Sequence, residues 1–377
     1  MNYWSEVIKI IEGGVKLNPS KVVNYSRLLS EKLRSEGNIR VAEKIDQIIG
    51  QSHPGVEIKS ASSHVDFRIP IDQDSRLPIA DIFKVGSLSE QVILNSEVEK
   101  SIERFLKYHK NVDQLIEADL NLPFTILLYG PPGCGKTVLA KEIAYKLELP
   151  LVIARLDSLV SSFLGSTAKN IRYLFDYAKD HPCVLFLDEF DAIAKLRDDS
   201  HELGELKRVV NSLLQNIDSL SPENILIAAT NHEHILDPAV WRRFTFSLKI
   251  DFPDEEARGK LIKRFLKGFT LNEEEIGIFS KLFKGLSGSM MEVICTQAMR
   301  ETVINQLPDI TLEILLNSYF NQISLELPKC ENIQMSKVIY LRNLDPDFFT
   351  FSIIGNLLGR TRQWAQQLYK KGMMDRG

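Results

Sequence analysis

The stretch LYGPPGCGKTVLAKEIA, residues 128–144, joins an apolar run to a helical pattern through a loop rich in glycine and proline. It fits the pattern GxxxxGK followed by Ser or Thr. Glycines there let the backbone wrap around phosphate oxygens, and the helix that follows adds the positive end of its dipole. We therefore predict a nucleotide-binding loop formed by Gly130, Pro131, Pro132, Gly133, Cys134, Gly135, Lys136, Thr137 and Val138.

Two acidic residues after a second apolar run are expected to complete this site. In CVLFLDEFDAI, residues 183–193, four apolar residues predict a buried strand that ends at Asp188 and Glu189. Lys136 is expected to reach the β- and γ-phosphates, while Thr137 and Asp188 would hold Mg²⁺, the latter through its water shell. Glu189 would polarise the attacking water. The alternative is a strand followed by a solvated acidic turn.

Strand-like and helix-like patterns alternate over residues 91–252, which is typical of a parallel α/β sheet. The intervening segments carry apolar residues at helical spacing, so each predicts a helix with one face on the sheet. The predicted strands are Ile126–Tyr129, Leu151–Ala154, Val184–Leu187, Ile225–Ala229 and Phe246–Ile250.

These ordered motifs resemble the AAA+ ATPases, specifically the AAA-type ring ATPases, over roughly residues 90–310. IAATNHEHILDPAVWRRF, residues 227–244, is similar to the second region of homology of that family. The resemblance implies a P-loop AAA+ αβα domain with a helical lid, binding ATP and Mg²⁺. Asn231 matches the sensor that hydrogen-bonds the γ-phosphate and the attacking water, on a strand lying between the two motif-bearing strands. Arg242 and Arg243 match arginine fingers, with a surface basic pair as the alternative.

Arginine fingers of this family act on ATP bound by the neighbouring subunit. A guanidinium offers planar, permanently charged donors to the transferring phosphoryl group. The resemblance therefore implies a homo-oligomeric ring, usually a hexamer, in which Glu189, Asn231, Arg242 and Arg243 are the catalytic residues. Their joint presence argues against a non-hydrolysing ATP switch.

The lid resemblance rests on KGLSGSMMEVICTQAMR, residues 284–300. The family expects Ser-Gly-Ala-Asp where this chain has Ser287-Gly288-Ser289-Met290. The Ser-Gly pair is kept, so a nucleotide-contacting turn is expected there, whereas Met290 departs from the acidic position.

The motif Phe163-Leu164-Gly165 resembles the aromatic–hydrophobic–glycine pore loop of AAA rings that thread proteins. A large apolar ring suits a non-specific grip on extended polypeptide. The alternative is that Phe163 and Leu164 are core residues opening the next helix. The resemblance favours an ATP-driven ring that unfolds or remodels proteins. The chain is similar to compact bacterial AAA ATPases, which include ones that pair with a separate subtilisin-like serine protease in phage defence. The resemblance implies that any protease partner is a separate subunit, since this chain contains no HExxH or GxSxG motif.

The ends of the chain add further units. Residues 1–52 predict a three-helix bundle with a break at Gly13-Gly14, and residues 53–90 predict a linker with a strand in HVDFRIPI, residues 64–71. The large αβα domain is expected at residues 91–252 and the lid at 253–325.

Residues 326–377 predict a helix-turn-helix-like unit with Gly359 at its turn. From residue 331 onward, seven basic residues face four acidic ones. One interpretation is DNA binding through residues 331–377, which would make the chain a nucleic-acid-associated AAA+ ATPase. The other is a small helical cap that binds the ring or a partner protein.

Composition bounds the remaining classes. A net charge of -4 argues against binding nucleic acid with the whole surface. The sequence carries no long apolar run, so no membrane span is expected. The four cysteines lack metal-ligand spacing and are expected to be reduced thiols in a cytoplasmic protein.

Overall fold

The computed structural model describes residues 3–52, 71, 78–84, 91–120, 123–155, 164–194, 203–220, 224–330 and 332–374. The chain divides into two units. The first comprises Met1–Val92, Ser96–Gly130 and Lys136–Ile250, and the second comprises Ile93–Asn95, Pro131–Gly135 and Asp251–Gly377. Within the described ranges, no helix combines the length and apolarity needed to cross a bilayer.

Three helices open the first unit, as the apolar pattern predicts: α1 (Trp4–Val15), α2 (Pro19–Ser35) and α3 (Ile39–Ser52). Asn18 caps α2 by accepting the Lys21 N–H, and Pro19 occupies the first turn. The break predicted at Gly13-Gly14 falls slightly later, because α1 includes both glycines and ends at Val15. Gly13 instead permits close packing, since a Cβ there would lie 2.9 Å from the Val22 side chain.

A six-stranded sheet forms the centre of the first unit, in the order β1-β3-β4-β5-β2-β6. Every neighbouring pair is parallel except β1 with β3. All five predicted strands are present, with ends shifted by two residues or fewer. The strands are β1 (Ala80–Phe83), β2 (Phe124–Tyr129), β3 (Leu151–Ala154), β4 (Val184–Leu187), β5 (Ile225–Thr230) and β6 (Phe246–Lys249).

The strand expected in residues 64–71 lies outside the described residues, apart from Ile71 in an isolated bridge with Pro78. Every residue of β4 and β5 is buried, as expected for central strands of a parallel sheet. The helices of this unit are α4 (Ser96–Lys110), α5 (Val112–Glu117), α6 (Lys136–Lys146), α7 (Leu164–Asp180), α8 (Asp191–Ala194), α9 (Leu203–Asp218) and α10 (Pro238–Trp241).

The N-terminal bundle attaches to the sheet domain through polar groups. Ser5 N–H donates to Asp113 of α5 at 2.9 Å. Asp180, the last residue of α7, accepts a 2.8 Å hydrogen bond from Asn18 Nδ2 and lies 4.0 Å from Lys21 Nζ. The Lys21 side chain is only 5% exposed and also lies 3.0 Å from Glu12. Asp180 therefore anchors α2 to the C-terminal end of α7.

Helix α1 presents its polar side to this packing and its apolar side to solvent. Ser5, Glu6 and Lys9 are buried, and Glu6 pairs with Lys32. The apolar residues of the opposite stripe are exposed, namely Trp4, Ile8, Ile11 and Val15.

The second unit consists of seven helices within the described residues: α11 (Glu255–Phe265), α12 (Glu273–Leu282), α13 (Gly288–Ile304), α14 (Leu312–Gln322), α15 (Ile333–Leu344), α16 (Phe351–Leu357) and α17 (Arg362–Met374). Asp254, Asn272, Ser287, Thr311, Asn332 and Thr350 cap six of them through side-chain hydrogen bonds.

The last three helices share one hydrophobic core with the four that precede them. Phe279 and Tyr319 belong to the same buried cluster as Phe349, Ile354 and Ala365. The two expected helices either side of Gly359 are α16 and α17, and Gly359 has the positive φ of a tight turn, 64°.

Candidate active site

The sheet order brings the predicted site residues to one edge. Strand β5 lies between β4 and β2, and all three run in the same direction. Their carboxyl ends are therefore adjacent, as in the switch-point crevices of other parallel sheets. Gly130 follows β2, Asp188 and Glu189 follow β4, and Asn231 follows β5. The predicted position of Asn231 between the two motif-bearing strands is confirmed.

The start of the glycine-rich loop is fixed against the backbone after β6. Gly130 has a φ of 135°, and a Cβ at this position would lie 2.3 Å from the Ile250 carbonyl oxygen. Only glycine fits such an approach. Ile250 N–H in turn donates to the Tyr129 carbonyl at 2.8 Å. The loop therefore leaves β2 in a direction that a side chain at position 130 would change.

Lys136 and Thr137 open α6 at the other end of the loop. Lys136 is buried, and its Nζ donates to the Gly130 carbonyl at 2.8 Å, across the mouth of the loop. Thr137 Oγ1 donates to Asp188 Oδ2 at 2.8 Å. The N-terminus of this eleven-residue helix thus carries the Lys136 ammonium and the Thr137 hydroxyl, with the Asp188 carboxylate from the end of β4 beside them. Anions are stabilised at such a helix N-terminus.

The middle of the loop, Pro131–Gly135, groups with the second unit. Within that unit the Gly133 carbonyl accepts the Ser289 N–H at 3.1 Å, at the start of α13. Ser287 caps α13, and Met290, which departs from the family pattern, packs on the hydrophobic core of the helices. The Ser-Gly turn expected in the lid therefore contacts the phosphate loop, and an apolar side chain at position 290 has a packing role.

Asp188 and Glu189 form a strained turn after β4. Glu189 is exposed and has a left-handed backbone, with φ of 50°. Asp188 uses both oxygens, since Oδ1 accepts the Glu189 N–H at 3.0 Å while Oδ2 accepts Thr137. A non-glycine residue in this conformation costs on the order of 1–3 kcal/mol and persists only where neighbouring contacts hold it.

The two arginines of the predicted finger pair have different surroundings. Arg243 Nη1 donates to the Ala239 carbonyl at 2.6 Å, and Nη2 donates to Asp218 Oδ2 at 2.9 Å. Arg242 is exposed and makes no ion pair with any residue that the structure describes. Arg243 is thus hydrogen-bonded within its own chain, whereas the Arg242 side chain is exposed.

The predicted pore loop lies at the margin of the described chain. Phe163 falls outside the described residues, and Leu164 and Gly165 are the first two residues of α7. The pore-loop assignment stays a prediction.

Sequence reasoning missed two polar residues beside the site. Thr230 Oγ1, at the end of β5, donates to Asp191 Oδ1 at 2.7 Å. The signal available was weak: a threonine directly before Asn231, and a second aspartate two residues after Glu189. Nothing in the sequence says that these two segments, 39 residues apart, meet.

Comparisons with known proteins identify the family and the relatives that this chain resembles. Residues 126–252 match the family model of the "ATPase family associated with various cellular activities (AAA)". An "Uncharacterized AAA family ATPase y4kL" of Sinorhizobium fredii is 41% identical over 215 residues, 57% of this chain and 65% of that protein. A "Proteasome-activating nucleotidase" of Methanothermobacter thermautotrophicus is 30% identical over 310 residues, 78% of this chain and 70% of that protein.

A further relative and a solved structure also resemble this chain. The "Proteasome-activating nucleotidase" of Pyrococcus furiosus is 32% identical over 263 residues, 68% of this chain and 65% of that protein. The chain thus spans about two thirds of the length of these three relatives. The fold resembles the crystal structure of the FIGL-1 AAA domain, with a TM-score of 0.53 and 23% identity, over 66% of this chain and 89% of that one.

Proposed function

Because the chain belongs to the AAA family of ATPases, we propose that it hydrolyses ATP in a homo-oligomeric ring, of six subunits, to unfold or remodel protein substrates. The observation that carries the hydrolytic part is the contact between Thr137 and Asp188, 2.8 Å, beside buried Lys136 and exposed Glu189. This set has the donors and the carboxylates that phosphoryl transfer to water requires.

The residues divide the chemistry among themselves. Backbone N–H groups of residues 133–137 and the Lys136 side chain would hold the phosphates. Thr137 and Asp188 are hard oxygen donors that fit Mg²⁺, which when bound neutralises charge on the phosphoryl oxygens. Glu189 would accept a hydrogen bond from the attacking water and polarise it, and Asn231 would orient that water against the γ-phosphate.

Arg242 would act on the nucleotide of the neighbouring subunit. The exposure of Arg242 supports this role, since an arginine finger must extend from the surface to reach a neighbouring subunit. The bond from Arg243 to Asp218 would fix the turn that carries Arg242. Removal of such a finger is expected to slow hydrolysis by about 10³–10⁵.

Mixed rings test this proposal directly. Lys136→Ala subunits keep the finger but lose the loop lysine, and Arg242→Ala subunits keep the lysine but lose the finger. Each alone should be inactive. Random co-assembly at equal amounts pairs an intact lysine with an intact finger at roughly a quarter of the interfaces, and hydrolysis should return to that extent. A mixture no more active than its separate components would contradict sharing of the site between subunits.

The proposal of a protein substrate is supported by the relatives named proteasome-activating nucleotidase and by the Phe163-Leu164-Gly165 motif. A protease, where one takes part, would be a separate subunit such as a serine protease. Phage defence is proposed on the sequence resemblance alone, and a cytoplasmic location on the four cysteines that lack metal-ligand spacing. Phe163→Ala should lower substrate unfolding per ATP hydrolysed, and Phe163→Tyr should retain it. Equal unfolding by both variants would remove the pore role.

A second candidate function is DNA binding by residues 331–377. It is favoured by Arg360, Arg362 and Lys370, which are exposed on and beside α17. Since α17 is part of the core of its unit, the test uses the full chain. Arg360→Glu with Arg362→Glu should abolish a salt-sensitive affinity for duplex DNA. Unchanged affinity, or none in the parent protein, would dismiss this function.

A further inference from the structure

The end of β5 is tied to the turn after β4 at two consecutive positions. Phe190 N–H donates to the Ala229 carbonyl at 2.8 Å, and Thr230 Oγ1 donates to Asp191 Oδ1 at 2.7 Å. Phe190 is fully buried and meets Phe244 edge-on. The segment that carries Glu189 is therefore fixed by the strand that ends at Asn231.

The Thr230 hydroxyl makes two bonds whose direction is determined. It accepts the His232 N–H at 2.9 Å, so its own hydrogen is available for the Asp191 carboxylate. Thr230 is 1% exposed, which leaves little water to replace either bond. The bond to His232 spans Asn231 and holds the backbone on both sides of it. One hydroxyl thus links the residue before Asn231, the residue after it and the turn of Glu189.

We infer that Thr230 and Asp191 are positioning residues for hydrolysis. Their hydrogen bond would keep the Glu189 carboxylate and the Asn231 amide within reach of the same attacking water. The inference rests on the proposed roles of those two residues. The left-handed backbone of Glu189 supplies the physical reason, because a strained turn needs outside contacts to keep its conformation. Loss of the hydroxyl lets the turn relax, and the carboxylate moves away from the water.

The decisive variant is Thr230→Val, which keeps the shape of the side chain and removes the hydroxyl. We expect kcat for ATP to fall about 10- to 100-fold, the range that follows a misplacement of roughly 1 Å. KM and the affinity for a fluorescent ATP analogue should stay within about threefold, since the side-chain hydrogen bonds described for Thr230 and Asp191 join them to each other and to His232, not to residues 130–137. Thr230→Ser restores the hydroxyl and should recover most of kcat.

A double-variant cycle identifies the bond itself. If Thr230 acts through Asp191, Thr230→Val combined with Asp191→Ala should lose no more kcat than the worse single variant. Asp191→Asn keeps an acceptor oxygen and should lie between Asp191→Ala and the parent protein. Additive losses would mean that the two residues act separately, and the inference would fail.

Glu189→Gln separates this inference from the proposed function. Full hydrolysis by Glu189→Gln would overturn the role of Glu189 and with it the positioning role. If Glu189→Gln is inactive while Thr230→Val keeps full kcat, or Thr230→Ser is no better than Thr230→Val, only the inference on Thr230 is overturned. Size-exclusion chromatography of each variant with ATP ensures that rings of equal size are compared.

Discussion

Substitution of Asp180 by alanine should loosen the N-terminal bundle from the sheet domain. Two unit charges 4 Å apart near a protein surface interact by about 4 kcal/mol, and Lys21 Nζ lies 4.0 Å from Asp180. The Asp180 side chain is 32% exposed and Lys21 retains Glu12, so we take less than half of that value. The lost bond from Asn18 adds about 1 kcal/mol.

The sum, about 2–3 kcal/mol, corresponds to a roughly 30- to 150-fold increase in the undocked population. Hydrogen exchange of one amide, that of Ser5, measures this undocked population. Ser5 N–H lies in the first turn of α1, where it has no partner within the helix, and it donates to Asp113 of the sheet domain. Its protection therefore reports docking and not helix formation. Exchange of the Ser5 amide should accelerate by that factor, while the amides of β4 and β5 stay protected.

Asp176→Ala is the matched control for Asp180→Ala. Asp176 lies one turn earlier on α7 and pairs only with Arg172 and Lys179, at 3.7 and 3.9 Å, among the described residues. Asp176→Ala should leave exchange of the Ser5 amide unchanged. If Asp180→Ala and Asp176→Ala have the same exchange, Asp180 is not the anchor, and its attraction to Lys21 contributes nothing to docking.

Three further results are expected. Asp218→Ala should lower the melting temperature, because it removes the ion-pair partner of the half-buried Arg243 at a cost of about 1–3 kcal/mol in stability. Arg242→Ala should leave the melting temperature unchanged. Equal melting temperatures for the two variants would contradict the structural difference between the two arginines. Burial lowers the pKa of His109 from 6.5 to about 4. Between these two values the unfolded chain binds a proton that the folded chain does not, so the free energy of unfolding should fall by about 2 kcal/mol from pH 7.5 to pH 5. His109→Phe should remove this pH dependence, and thermal midpoints that fall equally with pH in the variant and the parent protein would exclude His109. Phe349→Ala should destabilise the second unit by about 3–5 kcal/mol, measured by urea denaturation, and a much smaller loss would mean that the C-terminal helices fold apart from the lid.

The elements and much of the site follow from local sequence patterns. Buried apolar runs predict β4 and β5, and parallel pairing then places whatever follows them on one edge of the sheet. The positions of Asp188, Glu189 and Asn231 are therefore predictable from the sequence, because these residues directly follow two of the predicted strands.

What the sequence did not reveal depends on contacts between distant segments. The different surroundings of Arg242 and Arg243 are set by Asp218, which precedes them on another helix. The hydroxyl of Thr230 matters because β5 lies beside β4. Gly13 looked like a helix break because glycine has a low helix propensity, but its missing side chain serves the packing of α2. Each of these roles follows from a neighbour that no local pattern contains.

The outward apolar stripe of α1 has a practical consequence for shortened versions of the chain. A fragment that begins after residue 52 would uncover Asp113 and Asp180, which water can solvate. The released helices would instead keep Trp4, Ile8, Ile11 and Val15 on their surface. We therefore expect the tendency to aggregate to stay with the first fifty residues, and the larger fragment to be the more soluble of the two.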